Sequence, residues 1–225
     1  MDKGLDYIKK HKHELIKKFA SEDFYATKET PATIFMAGSP GAGKTEFSKK
    51  LIKILGRPIV RIDADEIREL IPGYTGTNSA DFQSACIKGV EVLYDHVLKK
   101  KQDVIVDGTL ASYGVACKNI ERAISKNRRV AIFYIYQEPE DAWRFTIARE
   151  SKEGRCITKD VFIDAFFKSK ENVKKIKKSF GKNITIFVVE KNFNHGIENF
   201  WINVDNIDKY LKNKYTYQMI KSMLQ

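Results

Sequence analysis

Cysteine is scarce in this 225-residue chain and is poorly spaced for chemistry. Cys86, Cys117 and Cys156 are odd in number, far apart and without a CxxC pair. That excludes a disulfide framework and reads as reduced, packing cysteines in a cytoplasmic protein. His11, His13, His96 and His195 form no metal-ligand grouping with them, so no structural zinc is expected. No apolar run approaches the roughly 20 residues of a membrane span. The start, Met1-Asp2-Lys3-Gly4, lacks the pattern of a secretory signal, so no membrane association is expected. No internal repeat, low-complexity tract or domain boundary is visible. The expectation is one domain over residues 1–225, with a helix and linker (1–30), a core (31–190) and a C-terminal extension (191–225).

Acidic residues are in deficit: 29 Asp and Glu face 40 Lys and Arg, a net charge of +11. Such a balance serves either a polyanionic partner such as nucleic acid, or anionic small molecules and solubility. The densest basic group is Lys168, Lys170, Lys174, Lys175, Lys177 and Lys178, with Val173 and Ile176 between them. Apolar residues at that spacing mark the solvated face of a surface helix rather than a nucleic-acid groove.

What is abundant is organisation around residues 33–45. Gly38, four residues, then Gly43-Lys44-Thr45 fit the phosphate-loop pattern, here Gly38-Ser39-Pro40-Gly41-Ala42-Gly43-Lys44-Thr45. The apolar run Ile34-Phe35-Met36-Ala37 precedes it as a buried parallel strand would. Phe47, Leu51, Ile52 and Leu55 follow at helical spacing until Gly56-Arg57-Pro58. A loop between strand and helix turns backbone N–H groups toward one point, and the helix N-terminus adds attraction for a polyphosphate. Lys44 is expected on the β- and γ-phosphates of ATP, and the Thr45 hydroxyl on a magnesium ion.

The rest of the chain alternates strands and helices. A helix is expected over 5–20, strands over 58–62, 104–106, 130–136 and 184–189, and helices from 66 and over 80–101, 114–125, 139–150 and 159–179. The segment 74–78 reads as a mobile substrate loop, and a short strand near 200–202 and a final helix complete the extension. This implies an α/β fold with a parallel sheet of about five strands, covered by helices on both faces.

Ligands of an open parallel sheet gather beyond the C-terminal ends of its strands. There stand the phosphate loop, Asp63-Ala64-Asp65 and Asp107-Gly108-Thr109. A carboxylate beside magnesium and phosphate can orient and deprotonate an acceptor hydroxyl. Asp65 is the preferred base, with Asp63 near Thr45 and the metal's waters; alternatively Asp65 caps the helix that follows. Asp107 either binds magnesium indirectly or holds a substrate hydroxyl, and Thr109 donates to the acceptor; alternatively both form a plain strand-to-helix turn. Arg144, Arg149 and Arg155 supply cations for the transferred group, with Arg155 best placed for a lid and Arg144 the most surface-like.

These residues, in this order, resemble the zeta-toxin family of phosphate-loop kinases, the toxin halves of bacterial toxin–antitoxin systems. The resemblance covers most of residues 30–190. It implies that Asp65 is the base, that Glu91 and the Asp107-Gly108-Thr109 segment bind substrate, and that Arg149 and Arg155 hold phosphate. It further implies an antitoxin partner and phosphorylation of a sugar hydroxyl of UDP-N-acetylglucosamine. The chain departs from the family pattern where Asp107 replaces a glutamate, Ala111 an arginine, and Ile71-Pro72-Gly73-Tyr74 a histidine-containing segment. The two lid arginines are also closer together than usual. The rivals are a kinase acting on another small-molecule hydroxyl, such as an antibiotic or a nucleotide, and a nucleic-acid-binding nucleotide switch.

Overall fold

A computed structural model of the chain describes residues 2–154, 157–192, 196–211 and 214–224, with residues 151–153 described by backbone alone. Its centre is strand β1 (Ala32–Ala37), flanked by β3 (Val104–Asp107) and β4 (Arg129–Gln137). Outside these lie β2 (Val60–Asp63) and β5 (Ile184–Asn192), and β6 (Gly196–Ile202) closes the far edge. The order is β2-β3-β1-β4-β5-β6. Every pairing from β2 to β5 is parallel, and β6 runs antiparallel to β5.

The apolar runs of the central strands leave no polar side, because both faces are covered. Phe35 and Ala37 of β1 enter one core with Val60, Ile62, Val104, Ile132 and Tyr134. Ile34 and Met36 point the other way, into a smaller core with Phe47, Ile105, Phe133 and Ile135. Helix α3 (Lys44–Leu55) covers the smaller core through Phe47, Leu51 and Ile52. The larger core is covered by α5 (Gln83–Lys99), α6 (Tyr113–Ile124) and α8 (Lys159–Phe180).

The N-terminal region is two helices, α1 (Lys3–Lys10) and α2 (Lys12–Ala20), where one was expected. The break falls at His11, whose ring nitrogen bonds the Tyr7 carbonyl at 2.8 Å. Helix α4 (Ala64–Arg68) begins two residues earlier than expected, directly at the end of β2. Within residues 74–78, Asn78 accepts the Thr75 N–H at 2.9 Å and donates to the Gly73 carbonyl at 2.9 Å. Helix α7 (Pro139–Glu153) ends at Gly154, and a short helix α9 (Tyr217–Met223) packs near the end of the chain.

The basic face of α8 is largely neutralised locally. Lys168 pairs with Asp164, Lys175 with Glu171, Lys177 with Asp205, and Lys170 and Lys174 share Asp208. Val173 and Ile176 are fully buried beneath them. Among the described residues no helix is long and apolar enough to cross a membrane.

Candidate active site

The turn from β1 into α3 wraps tightly because two glycines leave no room for a side chain. At Gly38 (φ 136°) a Cβ would stand 2.3 Å from the Ile135 carbonyl oxygen of β4. At Gly41 (φ 70°) it would stand 1.9 Å from the Ala142 carbonyl of α7. The loop is thus wedged between the sheet edge and α7, with Ser39 and Ala42 buried beneath it. Helix α3 starts after Gly43 with no side chain capping it, which leaves its first-turn N–H groups to a bound anion. Lys44 Nζ donates to the Ser39 carbonyl at 2.6 Å, so the lysine lies along the loop. Burial lowers its pKa to about 8, against the opposing pull of Asp107, Asp65 and Asp63.

Across from the loop, β2 and β3 deliver their carboxylates in register, Asp63 beside Asp107. Both are held by one buried cation. Arg61 Nη1 donates to Asp63 Oδ2 at 2.7 Å and to Asp107 Oδ2 at 3.0 Å, while Nη2 reaches Glu66. Asp63 Oδ1 also accepts the Asp65 N–H at 2.9 Å and so caps α4. The helix-cap alternative therefore belongs to Asp63, and Asp65 stands in the first turn. Ser48 of α3 donates to Asp107 Oδ2 at 3.0 Å, tying β3 to the phosphate-loop helix. Burial and the neighbouring Asp63 carboxylate push the Asp107 carboxyl above its ordinary value, opposed by Lys44, Arg61 and Ser48.

Asp65 is oriented by a second buried cation. Arg68 Nη1 donates to Asp65 Oδ1 at 2.5 Å, and Arg68 Nη2 donates to Gln83 Oε1 at 3.1 Å. From α7, Arg149 Nη2 approaches Asp65 Oδ2 at 3.8 Å. Thr109 Oγ1 accepts the Ala111 N–H at 3.3 Å, which leaves its own hydroxyl hydrogen for an incoming group.

These side chains share one cavity of about 500 Å³. Its floor is the phosphate loop with Lys44 and Thr45; one wall is Asp63, Asp65 and Asp107, and the other is α7 with Phe145, Thr146 and Arg149. Thr109, Arg68, Gln83 and Lys191 also face it. Thr45, Asp63 and Asp107 line the same cavity and offer oxygen atoms, the kind a magnesium ion takes. Both oxygens of Asp63 are already engaged, by the Asp65 N–H and by Arg61. That suits Asp63 to the waters of an ion rather than to direct ligation.

Glu91 is not brought to this cavity. Helix α5 starts at the cavity with Gln83 and runs away from it, and eight residues carry Glu91 about 12 Å along the axis. Its carboxylate is exposed and bonded to Lys88 Nζ at 2.7 Å. Arg144 lies on the outer side of α7, paired with Glu140 and Asp141. Arg155 lies outside the described residues. Arg61, Arg68 and Lys191 were not singled out from sequence. The one available signal was their position, an arginine inside an apolar strand and cations at strand or helix ends beside carboxylates.

A sequence model of the family described as Zeta toxin matches residues 17–203. The chain belongs to the zeta-toxin family. Solved structures agree on the fold. A chain from the PezAT chromosomal toxin–antitoxin system of Streptococcus pneumoniae superposes with a TM-score of 0.70 at 17% identity, over 97% of the present chain and 87% of that one. A chain of the AvrRxo1-ORF1:AvrRxo1-ORF2 complex with ATP gives a TM-score of 0.61 at 16% identity, over 92% and 68% of the two chains. By sequence, the ATP-dependent protease ATPase subunit HslU of Caldicellulosiruptor saccharolyticus is 29% identical over 122 residues, 52% of this chain. The zeta-toxin chain spans about a quarter of that relative's length, 26%.

Proposed function

We propose that this protein is an ATP- and magnesium-dependent kinase that phosphorylates a small-molecule hydroxyl, in the first instance a sugar hydroxyl of a nucleotide sugar such as UDP-N-acetylglucosamine. The observation that carries the proposal is the shared cavity. A phosphate loop with Lys44 and Thr45 faces Asp65, which is fixed by Arg68 and approached by Arg149. Such a site has a place for the donor phosphates, a carboxylate for the acceptor proton and a cation for the transferred charge.

In this reading Gly38 to Thr45 cradle the phosphates of ATP and Lys44 neutralises them. Thr45 would hold the magnesium ion, with Asp63 at its waters; the ion supplies charge neutralisation between the phosphates. Asp65 accepts the hydroxyl proton, with Arg68 on its Oδ1 and Arg149 approaching its Oδ2. Thr109 and Asp107 line the acceptor side. Arg149, and Arg155 from the segment after α7, neutralise the group in flight. The Phe145 ring and Ile157 give the cavity an apolar wall, suited to excluding water from phosphoryl transfer.

A protein partner fits the same reading. The PezAT relative comes from a toxin–antitoxin system, and the AvrRxo1-ORF1 relative is held in a complex with AvrRxo1-ORF2. We propose that this kinase is likewise restrained by an antitoxin. The activity is tested by incubating the protein with ATP and magnesium against a panel of nucleotide sugars, nucleosides and aminoglycosides, and reading products by mass. A gain of one phosphate on a nucleotide sugar is the expected result. Phosphorylation of an antibiotic or nucleoside alone would reassign the acceptor. ATP hydrolysis stimulated by nucleic acid, with no phosphorylated acceptor, would favour the switch.

A further inference from the structure

Lys191 faces the donor half of the cavity from a strand that contributes nothing else to it. The register pairs it with Gln137, so both stand at the C-terminal edge of β4 and β5, where ligands of a parallel sheet gather. From there the side chain reaches across to the phosphate loop. Its Nζ lies only 2.0 Å from the point a Cβ would occupy on Gly43, the residue from which α3 begins. The ammonium is therefore in contact with the loop backbone at Gly43, where the helix begins, whereas Lys44 Nζ lies on the Ser39 carbonyl.

The surroundings of Lys191 also point to an anion. Among the described residues no carboxylate comes within the 4.0 Å of an ion pair with it. Burial pushes its pKa down, and nearby Lys50 pushes the same way against the pull of Glu46. A half-buried ammonium without a close counter-charge gains strongly from any anion that enters beside it. The loop that it touches is built to receive phosphate oxygens through backbone N–H groups.

We infer that Lys191 is a second phosphate-binding cation of the donor site, contacting the phosphate chain of the nucleotide from the β5 side while Lys44 contacts it from within the loop. The inference rests on the donor-site reading above. It makes the end of β5, and not only the phosphate loop, part of nucleotide recognition. It also gives the +11 chain a defined use for one of its cations.

The test is calorimetric titration of the full chain with magnesium–ADP and, separately, with inorganic tripolyphosphate. Wild type is compared with Lys191→Met, Lys191→Gln and a neighbouring control, Lys50→Met. The expected result is a loss of about tenfold or more in affinity for both ligands in each Lys191 variant, with unchanged melting temperature and less than about twofold change in the control. Equal binding of ADP by wild type and both Lys191 variants overturns the inference and leaves the donor site intact. Loss for ADP with unchanged tripolyphosphate binding overturns it too, by moving the contact to the nucleoside. Wild type that binds neither ligand overturns the donor-site reading together with this one.

Discussion

The Asp63 carboxylate accepts the backbone N–H of Asp65 at 2.9 Å. Two aspartates separated by one residue thereby receive different work. Asp63 closes the end of β2 and caps α4, and its other oxygen is held by Arg61. Asp65, one step further, presents its side chain to the cavity under the control of Arg68 and Arg149. Asp63 is tied into the backbone and Asp65 faces the cavity, and substitutions at the two positions should separate accordingly.

Asp63→Ala removes the cap and one partner of a buried arginine at once. A lost cap costs about 1 kcal/mol and a lost partner of a buried charge considerably more. Arg61 keeps Asp107 and Glu66, so the expected loss is about 2–3 kcal/mol in urea denaturation. Asp65→Asn keeps an oxygen for Arg68 and should lose about 1 kcal/mol or less. Equal losses at the two sites would contradict the assignment of the cap.

Lys44 links pH to stability with a defined sign. Its pKa is depressed to about 8 from 10.5. Below pH 8 the folded protein carries the full cost of holding this ammonium, and the cost is relieved as pH rises toward 10.5, because the unfolded chain then binds more protons. Lys44→Met should accordingly be more stable than wild type at pH 7 without nucleotide, and the difference should shrink as pH rises past 8. It should also fail to bind ATP productively. A stability difference that stays flat between pH 7 and 10 would contradict a depressed Lys44.

Gly41→Ala tests the wedge between the phosphate loop and α7. The added Cβ would collide with the Ala142 carbonyl, and the backbone is already left-handed at this position. Stability should fall by about 2 kcal/mol or more, and ATP affinity should collapse with it. Normal ATP binding by this variant would mean that the loop can reseat without α7.

Arg149→Ala should act on the chemical step. If the guanidinium neutralises the transferred group, kcat falls by about a thousandfold while the affinity for ATP changes little. Arg155→Ala is expected to behave in the same way. A raised KM at unchanged kcat would make Arg149 a ground-state contact instead.

The local parts of this architecture were legible in the sequence. Residues 38–45 form their site from adjacent backbone, and apolar runs alternating with amphipathic stretches read directly as β1 to β5 and their helices. What escaped was set by contacts between distant segments. Arg61 lies in the run Pro58-Ile59-Val60-Arg61-Ile62, and its buried guanidinium is explained by Asp63 and Glu66 close in sequence together with Asp107, which arrives from β3. Glu91 came from the family resemblance, but the direction of α5 carries it away from the cavity. Lys191 sat beyond the expected end of its strand, because β5 extends to Asn192 by pairing with β4 and β6. The strand expected near 200–202 is β6, which starts earlier, at Gly196, in a mostly exposed stretch set by pairing with β5.

The central claim is that Asp65 and the phosphate loop together move a phosphoryl group from ATP to a hydroxyl. The most direct measurement follows label from γ-labelled ATP into UDP-N-acetylglucosamine, with wild type and Asp65→Asn compared at matched ATP occupancy. The account predicts label on a sugar hydroxyl with wild type, and transfer reduced by at least about a hundredfold with Asp65→Asn. Label that reaches neither this sugar nor any other hydroxyl of the acceptor panel, or transfer at the wild-type rate by Asp65→Asn, would contradict it.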